Sequence, residues 1–246
     1  MLSPEVRVAD WETPVKRLVF LHTMVSIVAQ FTALAREVLP PDVESVHIVD
    51  EILLRVVLAE GRLTPFVYQR VCEDVVAAER AGAHAVQLTC SSISPCADVA
   101  RTMVSIPVLK VDEPMIDRAL SMGGRIGVIA TASTTLKPTT DLVKSRAQML
   151  GKLVKVEAVL CDDAYAAFFS GDLPKHDRIV LKALTELMPR NDVILLAQAS
   201  MARVAEANPP QTQFVPILSS PRLAVERARQ VLSELDDRGA YEAAHR

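Results

Sequence analysis

Short apolar runs alternate with longer amphipathic segments along the whole chain. Each apolar run is bounded by polar residues, which indicates a buried strand, and the segments between the runs have helical periodicity. The predicted strands, in chain order, are Arg17–Leu21, Ser45–Val49, Ala85–Leu88, Ile106–Val111, Arg125–Ala130, Val154–Leu160, Val193–Ala197 and Phe214–Leu218. Strands that alternate with helices in this way predict an α/β fold with parallel sheets.

Helix-start and helix-stop signals separate these strands. Thr64 is a capping residue followed by proline at the first helical position, and Gly82 ends that helix. Further helices are predicted to end near Leu39, to begin at Ser94, to follow Thr134 with Pro138 in the first turn and stop at Gly151, to span His176–Met188, and to run from Pro221 to about Leu235. The polar tail Asp236–Arg246 is expected to be frayed.

The second half of the chain repeats the pattern of the first half. Thr23 and Cys90 follow two strands of the first half and are 67 residues apart, and Thr131 and Gln198 follow the matching strands at the same separation. A duplication of this kind predicts two parallel-sheet halves related by a pseudo-twofold axis. The Cys90 loop and the Gln198 loop would then flank one ligand, because ligands bind at the carboxyl ends of parallel strands.

Small polar side chains follow the predicted strands and suggest the chemistry. Cys90 lies just ahead of a helix start, where the helix dipole stabilises a thiolate, although a free cysteine is also a common small hydrophobe at the end of a core strand. Hydroxyl groups at strand ends, together with backbone N–H groups at helix starts, suit a small carboxylate. These hydroxyls belong to Thr23, Thr89, Ser91, Ser92, Ser133, Thr134 and Ser200.

Composition excludes several classes of protein. The 246 residues carry a formal net charge of −3 with no basic stripe, which argues against nucleic acid. The four cysteines have no CxxC spacing, so we predict no metal site, no disulfide framework and a reducing compartment. No secretory signal begins the sequence, and polar residues interrupt the apolar stretch Leu18–Ala35, so we expect a cytoplasmic protein with no membrane span. Neither GxGxxG nor a P-loop is present, so no cofactor is predicted, and the apolar content is compatible with a homo-oligomer.

The strand-end motifs in this order resemble the aspartate/glutamate/hydantoin racemase superfamily, over roughly Arg17 to Glu234. The motifs are His22-Thr23, Thr89-Cys90-Ser91-Ser92, Ala130-Thr131-Ala132-Ser133-Thr134 and Gln198-Ala199-Ser200. The resemblance implies two pseudo-symmetric Rossmann-like domains, residues 1–111 plus 219–246 and residues 112–218, with the active site in the cleft between them. It also implies cofactor-independent chemistry at the carbon next to a carboxylate, with Cys90 as the acid/base. The substrate-binding residues are expected to be Thr23, Thr89, Ser91, Ser92, Thr131, Ser133, Thr134, Ala199 and Ser200.

One departure from the family pattern leaves the reaction open. Family racemases use one cysteine per half, and here the second position falls on Gln198, or on Ala199 if the alignment slips by one. An amide forms hydrogen bonds but does not exchange a proton at neutral pH. A racemase or isomerase would need another base, for which His22, Asp50, Asp162, Asp163 and the thiol of Cys161 are candidates. The alternatives are a single-cysteine decarboxylase or other lyase, a thiolate that adds to a double bond in cis–trans isomerisation, and a non-catalytic protein that binds a small acid.

Overall fold

The computed structural model of the protein describes residues 16–207 and 215–244. Its strands are β1 Lys16–His22, β2 Val43–Val49, β3 Ala85–Leu88, β4 Val108–Lys110, β5 Arg125–Ala130, β6 Lys155–Leu160, β7 Val193–Leu196 and β8 Ile217–Ser219. The eight predicted strands are therefore confirmed in place and order, with ends that differ by a few residues. Phe214, the first residue of the last predicted strand, lies outside the described residues.

Helices fill the connections between the strands. They are α1 Val28–Val38, α2 Glu51–Glu60, α3 Pro65–Arg80, α4 Cys96–Ala100, α5 Glu113–Met122, α6 Ser133–Met149, α7 Asp162–Phe169, α8 Leu173–Leu187, α9 Ala202–Glu206 and α10 Ser220–Ala244. The predicted start of α3 is confirmed, since the Thr64 hydroxyl accepts from the backbone N–H of Val67 and Pro65 occupies the first turn.

The strands form two four-stranded sheets with the same order. The first sheet runs β2-β1-β3-β4 and the second runs β6-β5-β7-β8, and every strand pair is parallel. Helices flank each sheet, so the chain has two α/β halves of the same topology, as the sequence predicts. In each sheet the strand order reverses, between β1 and β3 in the first sheet and between β5 and β7 in the second. α/β sheets bind ligands at the carboxyl ends of the strands beside such a reversal.

The backbone hydrogen bonds fix which residues of the two halves are equivalent. Each half contains the same bond between its first and third strands, from Thr89 N–H to the Leu21 carbonyl and from Ala197 N–H to the Ile129 carbonyl. The next residue along is Cys90 in the first half and Gln198 in the second. Gln198 is therefore the structural equivalent of Cys90 in the repeated scaffold.

The last helix of the chain packs against the first half. Apolar residues of α10, among them Ala224 and Val225, share a buried cluster with Phe20 of β1 and Phe31 of α1. The chain thus crosses to the second sheet between β4 and α5 and returns at α10.

Four local expectations from the sequence differ from the structure. Helices α2, α5, α7 and α9 were not predicted. Helix α6 begins at Ser133, so Pro138 lies inside the helix beyond its first turn. Helix α4 is only five residues long. The backbone of α10 continues as helix to Ala244, where a frayed tail was expected after Leu235.

A buried carboxyl group lies where the chain first crosses between the sheets. Asp112 is fully buried between β4 and α5, and its Oδ1 accepts from the Ser94 hydroxyl at 2.9 Å. Its Oδ2 has no hydrogen-bond partner among the described residues. Burial raises the pKa of Asp112 to about 6, because the charged form loses its hydration.

This burial makes stability depend on pH. The folded state holds the proton of Asp112 up to about pH 6, whereas the unfolded chain loses it near pH 3.8. The contribution is therefore complete below pH 3.8 and is lost as pH rises through 6. We expect Asp112→Asn, which keeps an acceptor for Ser94 and does not ionise, to gain about 1–3 kcal/mol relative to wild type between pH 4.5 and pH 8.

Urea unfolding of both proteins at the two pH values measures this difference. Asp141→Asn on α6 is the control, because Asp141 has a 56 % exposed side chain. A stability difference between Asp112→Asn and wild type that stays constant with pH would contradict the assignment.

Candidate active site

A cavity lies between the two halves, at the carboxyl ends of the strands. Most of its lining consists of equivalent residues from the two halves. These pairs are Thr23 with Thr131, Met24 with Ala132, Ile27 with Thr135, Leu54 with Tyr165, Cys90 with Gln198, Ser91 with Ala199, and Ser92 with Ser200. Thr89 and Phe169 complete the lining. The pseudo-twofold axis predicted from the spacing therefore passes through the cavity.

The cavity is polar at the strand ends and apolar elsewhere. Hydroxyls, the Cys90 thiol and the Gln198 amide meet the apolar side chains of Met24, Ile27 and Leu54. Among the described residues, no Lys, Arg, His, Asp or Glu side chain lines the cavity. The field inside therefore comes from hydrogen-bond donors, from the thiol and from the backbone.

Cys90 is the cysteine that reaches the cavity. The other three are buried, and burial raises the pKa of Cys72 and Cys161 and raises the pKa of Cys96 to about 12. Cys90 is partly exposed and follows β3 directly. Thiols that stay protonated and buried are inert, so Cys90 is the thiol with access to a ligand.

The Gln198 side chain is held by one neighbour. Its Oε1 accepts from the backbone N–H of Thr131 at 2.5 Å and from the Thr131 hydroxyl at 2.9 Å. Because these bonds fix the amide oxygen, the Nε2 group is the free end, and no residue in the described part of the chain accepts from it. The amide therefore presents two N–H donors to the cavity.

Two serines of the Cys90 loop connect the halves. The Ser91 hydroxyl donates to the Ala197 carbonyl at 3.2 Å, and the Ser92 hydroxyl lies 2.9 Å from that of Thr135. Both serines line the cavity, as predicted for substrate-binding residues, but their hydroxyls are already bonded across the cleft. The Thr23 hydroxyl, in contrast, is buried with no partner among the described residues.

His22 is buried behind the cavity. Its ring is 0 % exposed, with Nδ1 2.9 Å from the Thr89 hydroxyl and Nε2 2.8 Å from Nδ1 of His47. Burial, and then the neighbouring His47, lower the pKa of His22 to about 4. His22 does not line the cavity, and both nitrogens are occupied. The geometry therefore gives no support to its expected role as a base.

The other candidate bases also lie off the cavity lining. Asp50 caps α2 through the N–H of Ile52 and pairs with Arg70. Asp162 and Asp163 are exposed at the start of α7. Cys161 is 7 % exposed at the N-cap of that helix.

Ser133 and Thr134 line a neighbouring cavity instead. That cavity also contacts Arg62, Lys137 and Ser92. Ser133 is exposed, and the hydroxyl of Thr134 is buried without a partner among the described residues. Of the three residues expected to hold the carboxylate, the structure therefore brings Thr131 alone to the Cys90 cavity.

Six lining residues were not predicted from the sequence, namely Met24, Ile27, Leu54, Ala132, Thr135 and Tyr165. Of these, Leu54 and Tyr165 occupy equivalent positions on α2 and α7, the two helices that directly follow the edge strands β2 and β6. The signal was present, because Asp50 is a capping residue and an apolar helical pattern follows it. Phe169 also lines the cavity, whereas Met201 is fully buried.

These features define a class of two-domain α/β proteins with a ligand site between parallel sheets. A family model described as Asp/Glu/Hydantoin racemase matches residues 21–228. The chain therefore belongs to the Asp/Glu/hydantoin racemase family and is a racemase-like enzyme. No curated protein matches it.

Solved structures of the same fold span most of the chain. Glutamate racemase from Francisella tularensis, in complex with D-glutamate, is 14 % identical with a TM-score of 0.67, over 91 % of this chain and 83 % of that one. A putative Asp/Glu racemase from Yersinia pestis is 12 % identical with a TM-score of 0.66, over 88 % and 99 %. Allantoin racemase from Klebsiella pneumoniae is 17 % identical with a TM-score of 0.62, over 89 % and 88 %.

No helix in ranges 16–207 and 215–244 is long and apolar enough to cross a membrane. Within the same ranges, no group of three His, Cys, Asp or Glu side chains is placed to hold a metal ion.

The burial of His22 predicts a low pKa for its ring. We expect its ring to stay neutral down to about pH 4, because burial and His47 disfavour the imidazolium. The unfolded chain takes up this proton near pH 6.5, so the contribution to stability is complete above 6.5 and is lost as pH falls towards 4. NMR titration of the ring nitrogens, assigned with His22→Gln, measures the pKa, and a midpoint near 6.5 would be inconsistent with this environment.

Proposed function

We propose that the protein is a cofactor-independent racemase or isomerase that acts at the carbon next to the carboxylate of a small acid. Cys90 is the residue that exchanges the proton with that carbon. The proposal rests on the position of the Cys90 thiol, which is partly exposed at the end of β3 and lines the cavity. Among the described lining residues, Cys90 and Tyr165 alone have titratable side chains.

The substrate carboxylate is held by neutral donors. The Nε2 group of Gln198 and the unpartnered hydroxyl of Thr23 point to this role, with backbone N–H groups at the adjacent helix starts. Thr89, Ala199 and Ser200 complete this end of the cavity. Removal of the α-proton makes an enediolate, and each preorganised donor to such an anion contributes on the order of 2.7–4 kcal/mol.

The apolar walls indicate the kind of substituent that fits. Met24, Ile27 and Leu54 offer no partner for a charged group on the substrate. Burying a second charge there without a partner would be costly. We therefore propose a substrate with one carboxylate or an equivalent ring imide, and an uncharged substituent.

A second candidate function is decarboxylation. It is favoured by Gln198, because loss of CO₂ needs one proton donor for the resulting enediolate and the amide opposite Cys90 exchanges none. Non-catalytic binding of a small acid is the remaining alternative, and an inactive protein that still binds the acid would support it.

The three functions separate in one NMR experiment in D₂O with enantiopure amino acids, 5-substituted hydantoins and 2-substituted malonates. Deuteration at the α-carbon without loss of CO₂ supports the racemase or isomerase. Loss of the malonate signal supports the decarboxylase. Line broadening without turnover across the panel supports binding alone.

We expect Cys90→Ala to lower turnover at least about 100-fold, because general acid–base catalysis contributes 10²–10⁴-fold. The measurement is the rate of α-deuteration or CO₂ release, with circular dichroism to verify the fold. Cys161→Ala is the matched control, since it removes a buried thiol near the cavity, and it should keep turnover within a few-fold. Full activity of Cys90→Ala would overturn the assignment.

Gln198 should contribute as a donor. We expect Gln198→Ala to lower kcat about 10²-fold or more, because one oriented donor to the enediolate is lost. Gln198→Glu keeps an acceptor for Thr131 but places a negative charge beside the substrate carboxylate, so KM should rise. Steady-state kinetics test both variants against Gln148→Ala, which removes an exposed amide on α6, and an unchanged kcat in Gln198→Ala would contradict the role.

A further inference from the structure

The cavity holds only two titratable side chains in its described lining. Cys90 lies at the end of β3 in the first half, and Tyr165 lies on α7 in the second half. The ionisable groups considered from the sequence, His22, Asp50 and Cys161 among them, do not line it. Among the described lining residues, Tyr165 is therefore the candidate for the group that exchanges a proton opposite Cys90.

Cys90 and Tyr165 are not related to each other by the pseudo-twofold axis. Cys90 is equivalent to Gln198, and Tyr165 is equivalent to Leu54. Each half thus supplies one titratable group and one group that does not titrate, but at different positions of the repeated scaffold. The half that has an amide in place of the thiol has a phenol in place of the leucine.

The surroundings of Tyr165 leave its hydroxyl available. The ring packs against Phe169 with centroids 4.5 Å apart, and the side chain is partly buried. Its hydroxyl has no hydrogen-bond partner within the described residues. Burial raises the pKa of Tyr165, and the nearby Cys90 thiolate raises it further, so the phenol is a neutral donor at neutral pH.

We propose that Tyr165 is the second catalytic residue, which exchanges a proton with the substrate on the face opposite Cys90. The proposal rests on the function proposed above. It concerns how inversion is completed in a protein that has Gln198 where a second thiol would lie.

The step balances without a cofactor. The Cys90 thiolate takes the α-proton, so an S–H bond forms and the C–H electron pair passes into the enediolate. That pair then forms a new C–H bond with the proton of the Tyr165 hydroxyl, which leaves a phenolate. Proton exchange of both groups with solvent then restores the thiolate and the phenol. The reverse reaction begins from the thiol and phenolate.

Tyr165→Phe separates inversion from proton exchange. The probes are L-phenylalanine, L-glutamate and (S)-5-benzylhydantoin in D₂O, followed by proton NMR for α-deuteration and by chiral chromatography for configuration. In the wild type, deuteration should accompany inversion. In Tyr165→Phe, inversion should fall at least about 100-fold, while Cys90 still exchanges the α-proton with retention.

Tyr68→Phe is the matched control, because it removes a phenol hydroxyl on α3 from a residue that does not line the cavity. It should keep inversion and exchange in the wild-type ratio. If Tyr165→Phe inverts its substrate within threefold of wild type, the proposal for Tyr165 is overturned while Cys90-dependent exchange still supports the proposed function. If the wild type exchanges no α-proton of any probe, both are overturned.

A second measurement does not depend on turnover. The difference in phenolate absorbance between wild type and Tyr165→Phe isolates the titration of Tyr165. Its midpoint should lie above the ordinary value of 10, and Cys90→Ser should lower it, because the neighbouring thiolate is removed. A midpoint that Cys90→Ser leaves unchanged would show that the two groups do not share one site, and would overturn the proposal.

Discussion

The parallel pairing of the first and third strands in each sheet is the constraint on which the site depends. Leu21 pairs with Leu88, and Ile129 pairs with Leu196, so both sheets end at the same level. Main-chain hydrogen bonds fix this register, and a slip by one residue would turn each following side chain to the other face. The residue two positions after Leu88, Cys90, therefore reaches the cleft because the ladder ends where it does.

Contacts across the cleft turn two sheet edges into one cavity. The bonds of Ser91 to Ala197 and of Ser92 to Thr135 use hydroxyls that a reader of the sequence would assign to the ligand. These hydroxyls are therefore not free for a ligand, whereas the Gln198 amide, the Thr23 hydroxyl and the Tyr165 phenol each keep a free donor group among the described lining residues. Because the described lining carries no fixed charge, these few dipoles act in a poorly screened environment, where each is worth more than in water.

Much of this arrangement can be predicted from the sequence, and there are physical reasons why the remaining features cannot. The equal spacing from Thr23 to Cys90 and from Thr131 to Gln198 is enough to predict the equivalence of the two halves. Helices α2 and α7 were not predicted because only one residue, Asp50 or Cys161, separates each from the strand before it, with no glycine or proline between. The depressed pKa of His22 depends on burial and on His47, which is distant in sequence and becomes its neighbour only when β1 pairs with β2.

A duplicated scaffold constrains positions more than it constrains chemistry. Inversion needs two groups on opposite faces of one carbon, and a pseudo-twofold axis supplies two equivalent sets of positions around the ligand. Nothing requires the two groups to occupy equivalent positions, provided that both line the same cavity. Cys90 and Tyr165 both line the cavity, although they occupy positions that are not equivalent in the two halves. Gln198 occupies the position equivalent to Cys90 and is an oriented donor, and Leu54 occupies the position equivalent to Tyr165 and forms an apolar wall. The two halves can therefore diverge residue by residue while the ladders, and with them the cleft, stay the same.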